Sequence, residues 1–371
     1  MKTLASCFAV WFAGSTLAAA PDRLYVGTYT DTTSRGIYSL SFDSESGRLS
    51  NLTLAATTKD PAYLVLDPSR RHLYAGAGVK GGVSAYGIDR ATGSLTLLNR
   101  DPAVPGGLVS HLVVDNTGRM LLVAGNTPTQ AYVYDYPLGP DGALGPRGPL
   151  QEERGPPGPN LPRQAHAHAH CVTLSADNRF ALVCNMGIDR IFVYRIFPDE
   201  ARIAPDAVPA VSAPPGAGPR HGKFSPDGRF FDTVNQMNGS VSVYAYDTSS
   251  GRLSLRQTLS TLPSDFQGKN DSSEIAISPD GRHVYAANRG PDTLTVFDCD
   301  SHTGELSVID RLPCGGREPR FFTLSPDGRW LLCANQNSDS IAVFRVDSAS
   351  GRLTPCGLPT AVPRPICIVF D

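Results

Sequence analysis

The stretch LSPDGRWLLCANQNSDSIAVFRVDSASGRLT at residues 324–354 is one copy of a unit that recurs along the chain, and this repetition constrains the fold more than any other feature. Close copies are FSPDGRFFDTVNQMNGSVSVYAYDTSSGRLS at 224–254 and ISPDGRHVYAANRGPDTLTVFDCDSHTGELS at 277–307. Looser copies begin at 66, 114 and 174, which puts turn arginines at Arg71, Arg119, Arg179, Arg229, Arg282 and Arg329, spaced 47 to 60 residues apart. Each copy consists of short runs rich in aromatic and β-branched residues, separated by Pro-Asp-Gly and Ser-Gly. Proline presets φ and glycine accepts a positive φ, so these are turns with a mechanism. Four antiparallel strands per copy follow, and no segment carries a helical 3.6-residue period.

The ends of the chain predict closure. The first copy, LYVGTYTDTTSRGIYSLSFDSESGRLS at 24–50, lacks the run that elsewhere precedes the turn, and RPICIVFD at 364–371 matches that missing run. The expected fold is all-β: a seven-bladed β-propeller of four-stranded antiparallel blades, closed by the C-terminal strand joining the N-terminal blade so that no sheet edge is left open. Residues 21–371 are read as a single domain. The Pro/Gly-rich stretches at 138–164 and 204–219 are read as loops between blades, because the repeats continue beyond them.

Residues 1–20 have the plan of a secretory signal: Lys2, an apolar run from Leu4 to Ala13, and small residues ending in Ala18-Ala19-Ala20. Leu4-Ala5-Ser6-Cys7 has the composition of a lipoprotein box but precedes the apolar run instead of following it. Export to the periplasm or the medium is expected. Beyond this segment no apolar run is long enough to span a bilayer. A net charge of −2 excludes a basic field for nucleic acid, and a monomer is expected. Cys184 and Cys333 fill matching strand positions as small buried residues, whereas Cys314 and Cys356, both in Pro/Gly loops, are the best-placed pair for a disulfide.

In a meander blade the start of the first strand and the end of the second lie at the same end of the ring. Aligning the copies on their turns gives Ser110, His170, Arg220, Ser273 and Arg320 at the first-strand start, followed by Tyr63, His111, Cys171, His221, Glu274 and Phe321. The second-strand ends give Tyr29, Gly78, Asn126, Met186, Gln236, Arg289 and Gln336. Arg220, Arg289 and Arg320 around one opening imply a small anionic ligand, since guanidinium forks suit carboxylate or phosphate. The run RQAHAHAHC at 163–171 alternates His166, His168 and His170, but no cysteine or carboxylate accompanies them at a zinc-like spacing, so no metal or other cofactor is expected.

YVGTYT at 25–30, HAHCV at 168–172, GPRHGKFSPDGR at 218–229, SEIAISPDGRHVYAANRG at 273–290 and EPRFFTLSPDGRWLLCANQNSDSIAVF at 318–344 resemble the lactonase family of seven-bladed propellers. That family includes propeller-type 6-phosphogluconolactonases and 3-carboxy-cis,cis-muconate cyclases. The resemblance implies metal-free opening of an acidic or sugar-derived lactone at the propeller mouth. His170 is the expected base, with Arg220 and Arg289 as oxyanion or anion anchors and Glu274 or His221 as orienting partner. His168, His111, His221, Gln236, Arg320, Gln336 and Tyr29 are the expected substrate-binding residues. The cyclase branch has an Asn-Glu motif where this chain has Asn235-Gln236, and an amide cannot cycle a proton as a carboxylate does. Cycloisomerisation of a muconate and non-catalytic ligand binding are the alternatives to hydrolysis.

Overall fold

The structure is a computed structural model that describes residues 22–78, 81–102, 104–205 and 208–371. Residues 1–20, read above as a secretory signal, lie outside the described residues, Cys7 among them. Seven antiparallel sheets are arranged as a ring of blades, each with an inner, a second, a third and an outer strand. The inner strands are Pro365–Phe370, Pro61–Leu66, Leu108–Val114, Ala169–Leu174, Pro219–Phe224, Asp271–Ile277 and Pro319–Leu324, for blades one to seven in turn. Blade one is the composite: Pro365–Phe370 pairs with Asp22–Thr28, so the expected closure by the C-terminal strand is present.

The turn that opens each outer strand is a key between neighbouring blades. Gly47 has φ +72, and a Cβ there would come within 2.4 Å of the Trp330 ring of blade seven. Only glycine meets both demands. Trp330 also donates its indole N–H to the Ser44 carbonyl at 2.8 Å, so the same contact locks the ring shut. Gly251 against Phe180 and Gly304 against Phe230 repeat this contact around the ring. Second strands such as Phe180–Asn185 and Trp330–Asn335 are buried throughout, which explains why their sequences read as continuous apolar runs rather than as alternation.

All seven described cysteines are free. The expected Cys314–Cys356 bridge is absent because the two residues serve different interfaces. Cys314 is buried between blades six and seven beside Cys333, whereas the Cys356 thiol reaches the Ser46 carbonyl of blade one. Cys184 and Cys333 are fully buried, as read from sequence. Among the described residues no helix is long and apolar enough to cross a membrane.

Candidate active site

Every inner strand carries a β-bulge near its start. In six blades one residue has no partner across the ladder: Ala62, Ser110, His170, Arg220, Arg320 and Ile366. In blade six the irregularity takes in Ser273 and Glu274. A bulge inserts one unpaired residue and re-aims its side chain. Here it does so seven times around one axis. The six single-residue bulges line a cavity of about 220 Å³ at one mouth of the ring, together with Tyr29, Arg163 and His168. The residue after each bulge falls one layer deeper. Tyr63 and His111 stack there with ring centroids 3.9 Å apart, and His221 and Phe321 meet the Tyr63 ring edge-on at 6.3 and 6.1 Å. This layer separates the cavity from a vestibule at the opposite end of the channel.

Arg220 is 3% exposed, and one Nη donates both to the Ser273 carbonyl and to His221 Nε2, the latter at 3.2 Å. With Nε2 accepting, the His221 proton sits on Nδ1 and is donated to Glu274 Oε2 at 2.9 Å. The other Glu274 oxygen accepts the Ile275 N–H. Burial, opposed by Glu274 and reinforced by Arg220, pushes His221 down to about 4, so the ring is neutral at pH 7. Burial alone would raise Glu274, but His221, Lys223 and the Ile275 amide outweigh it and hold the carboxyl below its usual range. Arg220 is thereby fixed by a neutral imidazole that is itself fixed by a carboxylate.

His170 faces the same cavity. Its Nδ1 is buried without a partner, which leaves Nε2 as the nitrogen with access to the cavity. Burial, then Arg220, His221, His168 and Arg320, hold it well below the usual histidine range, so at neutral pH it is an unprotonated acceptor. Arg320 donates to the Tyr29 hydroxyl at 3.0 Å and lies over the Tyr29 ring. The cavity therefore joins the His170 imidazole, beside those of His168 and His221, to three guanidinium groups, those of Arg163, Arg220 and Arg320. Among the described residues no carboxylate lies on its wall.

The chain matches the family model described as lactonase, 7-bladed β-propeller, over residues 23–370. The 6-phosphogluconolactonase of Bacillus subtilis (strain 168) is 32% identical over 356 residues, covering 93% of this chain and 97% of the relative. Among solved structures, the periplasmic gluconolactonase of Pseudomonas aeruginosa is 33% identical with a TM-score of 0.86, over 94% of this chain and 98% of that one. A Bacteroides fragilis chain is 30% identical with a TM-score of 0.88, over 96% and 99%. The chain belongs to the lactonase family of seven-bladed β-propellers. Lactone hydrolysis is its class of reaction.

Within this lactonase the residues singled out from sequence separate into distinct environments. His170, Arg220, Arg320, His168, His221 and Tyr29 line the cavity. Glu274 does not; it is 1% exposed behind His221 and acts on the cavity through that ring. His111 lies in the lower layer and faces the vestibule, with both ring nitrogens unpartnered. Arg289 is tied to the Asp271 carbonyl at 2.9 Å and to Glu318 at 3.4 Å, and Gln236 donates to Asp271 at 2.8 Å. Neither lines the cavity. Gln336 opens on a separate groove beside Tyr29. Arg163, Ser110 and Tyr63 line the cavity without having been selected as site residues. Arg163 could have been read from the histidine run that it opens. Among the described residues no three His, Cys, Asp or Glu side chains converge as a metal-ligand set.

Proposed function

We propose that this lactonase opens a sugar-derived lactone with His170 as base and Arg220 and Arg320 as the anion-stabilising pair. The observation that carries the reading is the unprotonated His170 imidazole facing three guanidinium groups in one small cavity. Water bound to His170 Nε2 attacks the lactone carbonyl carbon and gives its proton to the imidazole. The carbonyl oxygen becomes an oxyanion next to the guanidinium groups, which stabilise the negative charge as it develops in the transition state. As the ring C–O bond breaks, the imidazolium returns the proton to the departing ring oxygen, leaving a hydroxy acid. A carboxylate or other anionic substituent on the substrate would be held by the same cations.

The substrate is assigned to a compartment outside the cytoplasm, and so to an unphosphorylated sugar lactone. Two observations support this: the secretory plan of residues 1–20 and the likeness to a periplasmic gluconolactonase. All the proposed groups come from one chain, so a monomer suffices. Cycloisomerisation of a muconate gains no support, because Gln236 is not an acid and its amide is committed to Asp271.

The test is hydrolysis of 6-phosphogluconolactone, gluconolactone, simple γ-lactones and a muconolactone by the mature protein, with and without chelator. Turnover lost in His170→Ala and Arg220→Ala but unaffected by chelator is the expected result. A folded protein that opens none of these above the variants' background would overturn the proposal in favour of ligand binding alone.

A further inference from the structure

The histidine run is only partly used by the reaction above: His170 enters the cavity, His168 stands at its border and His166 lies outside it. His166 instead lines a groove of about 510 Å³ between the mouths of blades three and four. Groove and cavity share Leu108, Arg163 and His168 as walls, so one ligand can run from one into the other.

The two spaces differ in chemistry. Three guanidinium groups line the cavity, whereas Arg163, at the shared border, is the only charged side chain on the groove wall among the described residues. The rest of that wall offers neutral hydrogen-bonding groups and flat apolar faces. Asn126 donates its amide to Ser110 at 3.0 Å, leaving Oδ1 as an acceptor. The Thr127 hydroxyl oxygen accepts from the Thr129 and Gln130 amides, leaving its proton free to donate. The His166 imidazole is exposed and has no partner. Pro128 and Pro162 supply the apolar faces. A hydroxyl both donates and accepts, and a pyranose ring has an apolar face, so a wall of this kind suits a sugar ring better than a charged or greasy group. The other groove on this mouth, beside Tyr29, is lined by Asp31, Lys59, Asp60 and Arg364, with Arg364 already bound to Asp31. It does not offer the same neutral surface.

We propose that the blade-three/blade-four groove is a second sugar subsite and that the preferred substrate is a glycosyl-aldonolactone. Its lactone ring occupies the cavity and its attached sugar ring the groove. The inference rests on the lactonase reading above and extends it to a substrate class. Such a lactone arises by two-electron oxidation of the reducing-end hemiacetal of a disaccharide, so the reaction that supplies this enzyme is a carbohydrate oxidation.

The experiment compares kcat/KM for gluconolactone with that for cellobionolactone and maltobionolactone, in the wild type, Thr127→Trp and His166→Ala. At least one disaccharide lactone is expected to exceed gluconolactone by about tenfold or more in the wild type. Thr127→Trp fills the groove and should erase that advantage while leaving gluconolactone within about twofold. His166→Ala, at an exposed position that folding does not depend on, should lower turnover of the disaccharide lactone alone. Equal kcat/KM for one-ring and two-ring lactones, or an advantage that survives both substitutions, overturns the subsite and leaves the lactonase reading standing. If the wild type opens neither kind, the lactonase reading itself fails.

Discussion

The two ends of the central channel are built from the same seven inner strands, yet they present opposite chemistry. At one end the bulge residues bring His170, Arg220 and Arg320 into a cavity of about 220 Å³. At the other, a vestibule of about 560 Å³ is lined by Val65, Val113, Leu174, Leu324 and Val369, with Lys223 as the only charged side chain on its wall among the described residues. The repeat supplies the ring and does not itself supply a site. What distinguishes the ends is the bulge, which frees one residue from the ladder in each of six blades and two in the other, blade six, and lets them vary without disturbing the sheet.

The largest effect should come from removing the chemistry at one end only. His170→Ala and Arg220→Ala are each expected to lower kcat/KM for the best lactone by about 10²- to 10³-fold. Lys223→Met, at the other end, should stay within about threefold. Comparable losses at both ends, measured on folded protein, would erase the distinction.

A smaller effect is expected one layer below the cavity. Glu274→Gln removes the carboxylate that offsets Arg220 while leaving an acceptor for His221. It should lower kcat about tenfold with KM little changed, and Glu274→Asp should restore part of the loss. A KM effect with normal kcat would assign Glu274 to substrate binding instead.

The pH dependence sharpens the same contrast. In the proposed reaction His170 acts as the neutral ring, and its pKa is depressed, so kcat/KM should stay level as pH falls through 6.5 and decline only in more acid solution. Arg320→Gln removes one of the cations that depress it and should move the acid limb upward, separately from any loss in rate. An inflection at an ordinary histidine pKa in the wild type would exclude His170 as base.

The smallest effect should be at His111. His111→Phe keeps a ring against Tyr63 and removes two buried nitrogens without partners, so stability should rise by about 1 kcal/mol with activity unchanged. Thermal melting and the lactone assay together check this. Loss of activity would return His111 to the substrate.

The ring was legible in the sequence because its turns repeat, and the closing strand because one run was missing at 24 and surplus at 364. The position that lines the cavity was largely legible, since alignment on the turn brings Ser110, His170, Arg220 and Arg320 together; Ser273, aligned with them, is off the wall and donates to the Pro319 carbonyl. The depth of each side chain was not. His111 and His221 sit one residue past the bulge and Glu274 within the blade-six irregularity; His221 stays on the cavity wall while His111 and Glu274 leave it, and a bulge leaves no mark in the apolar pattern. Nor could the alignment show that Arg289 and Gln236 are engaged by Asp271 and Glu318. Those partners stand outside the repeat positions that were aligned, and their contacts depend on how neighbouring strands and blades meet.

Ring closure also sets the timing of function. The inner strand of blade one comes from residues 365–370, and Ile366 on it is part of the cavity wall. The Tyr29 amide is bonded to the Arg364 carbonyl, and its hydroxyl to Arg320. While the chain is being synthesised, residues 22–28 therefore wait for a partner more than 330 residues downstream, and the cavity lacks a wall until that partner arrives. A chain cut short before residue 365 would lack both the closing strand and the Ile366 part of the cavity wall.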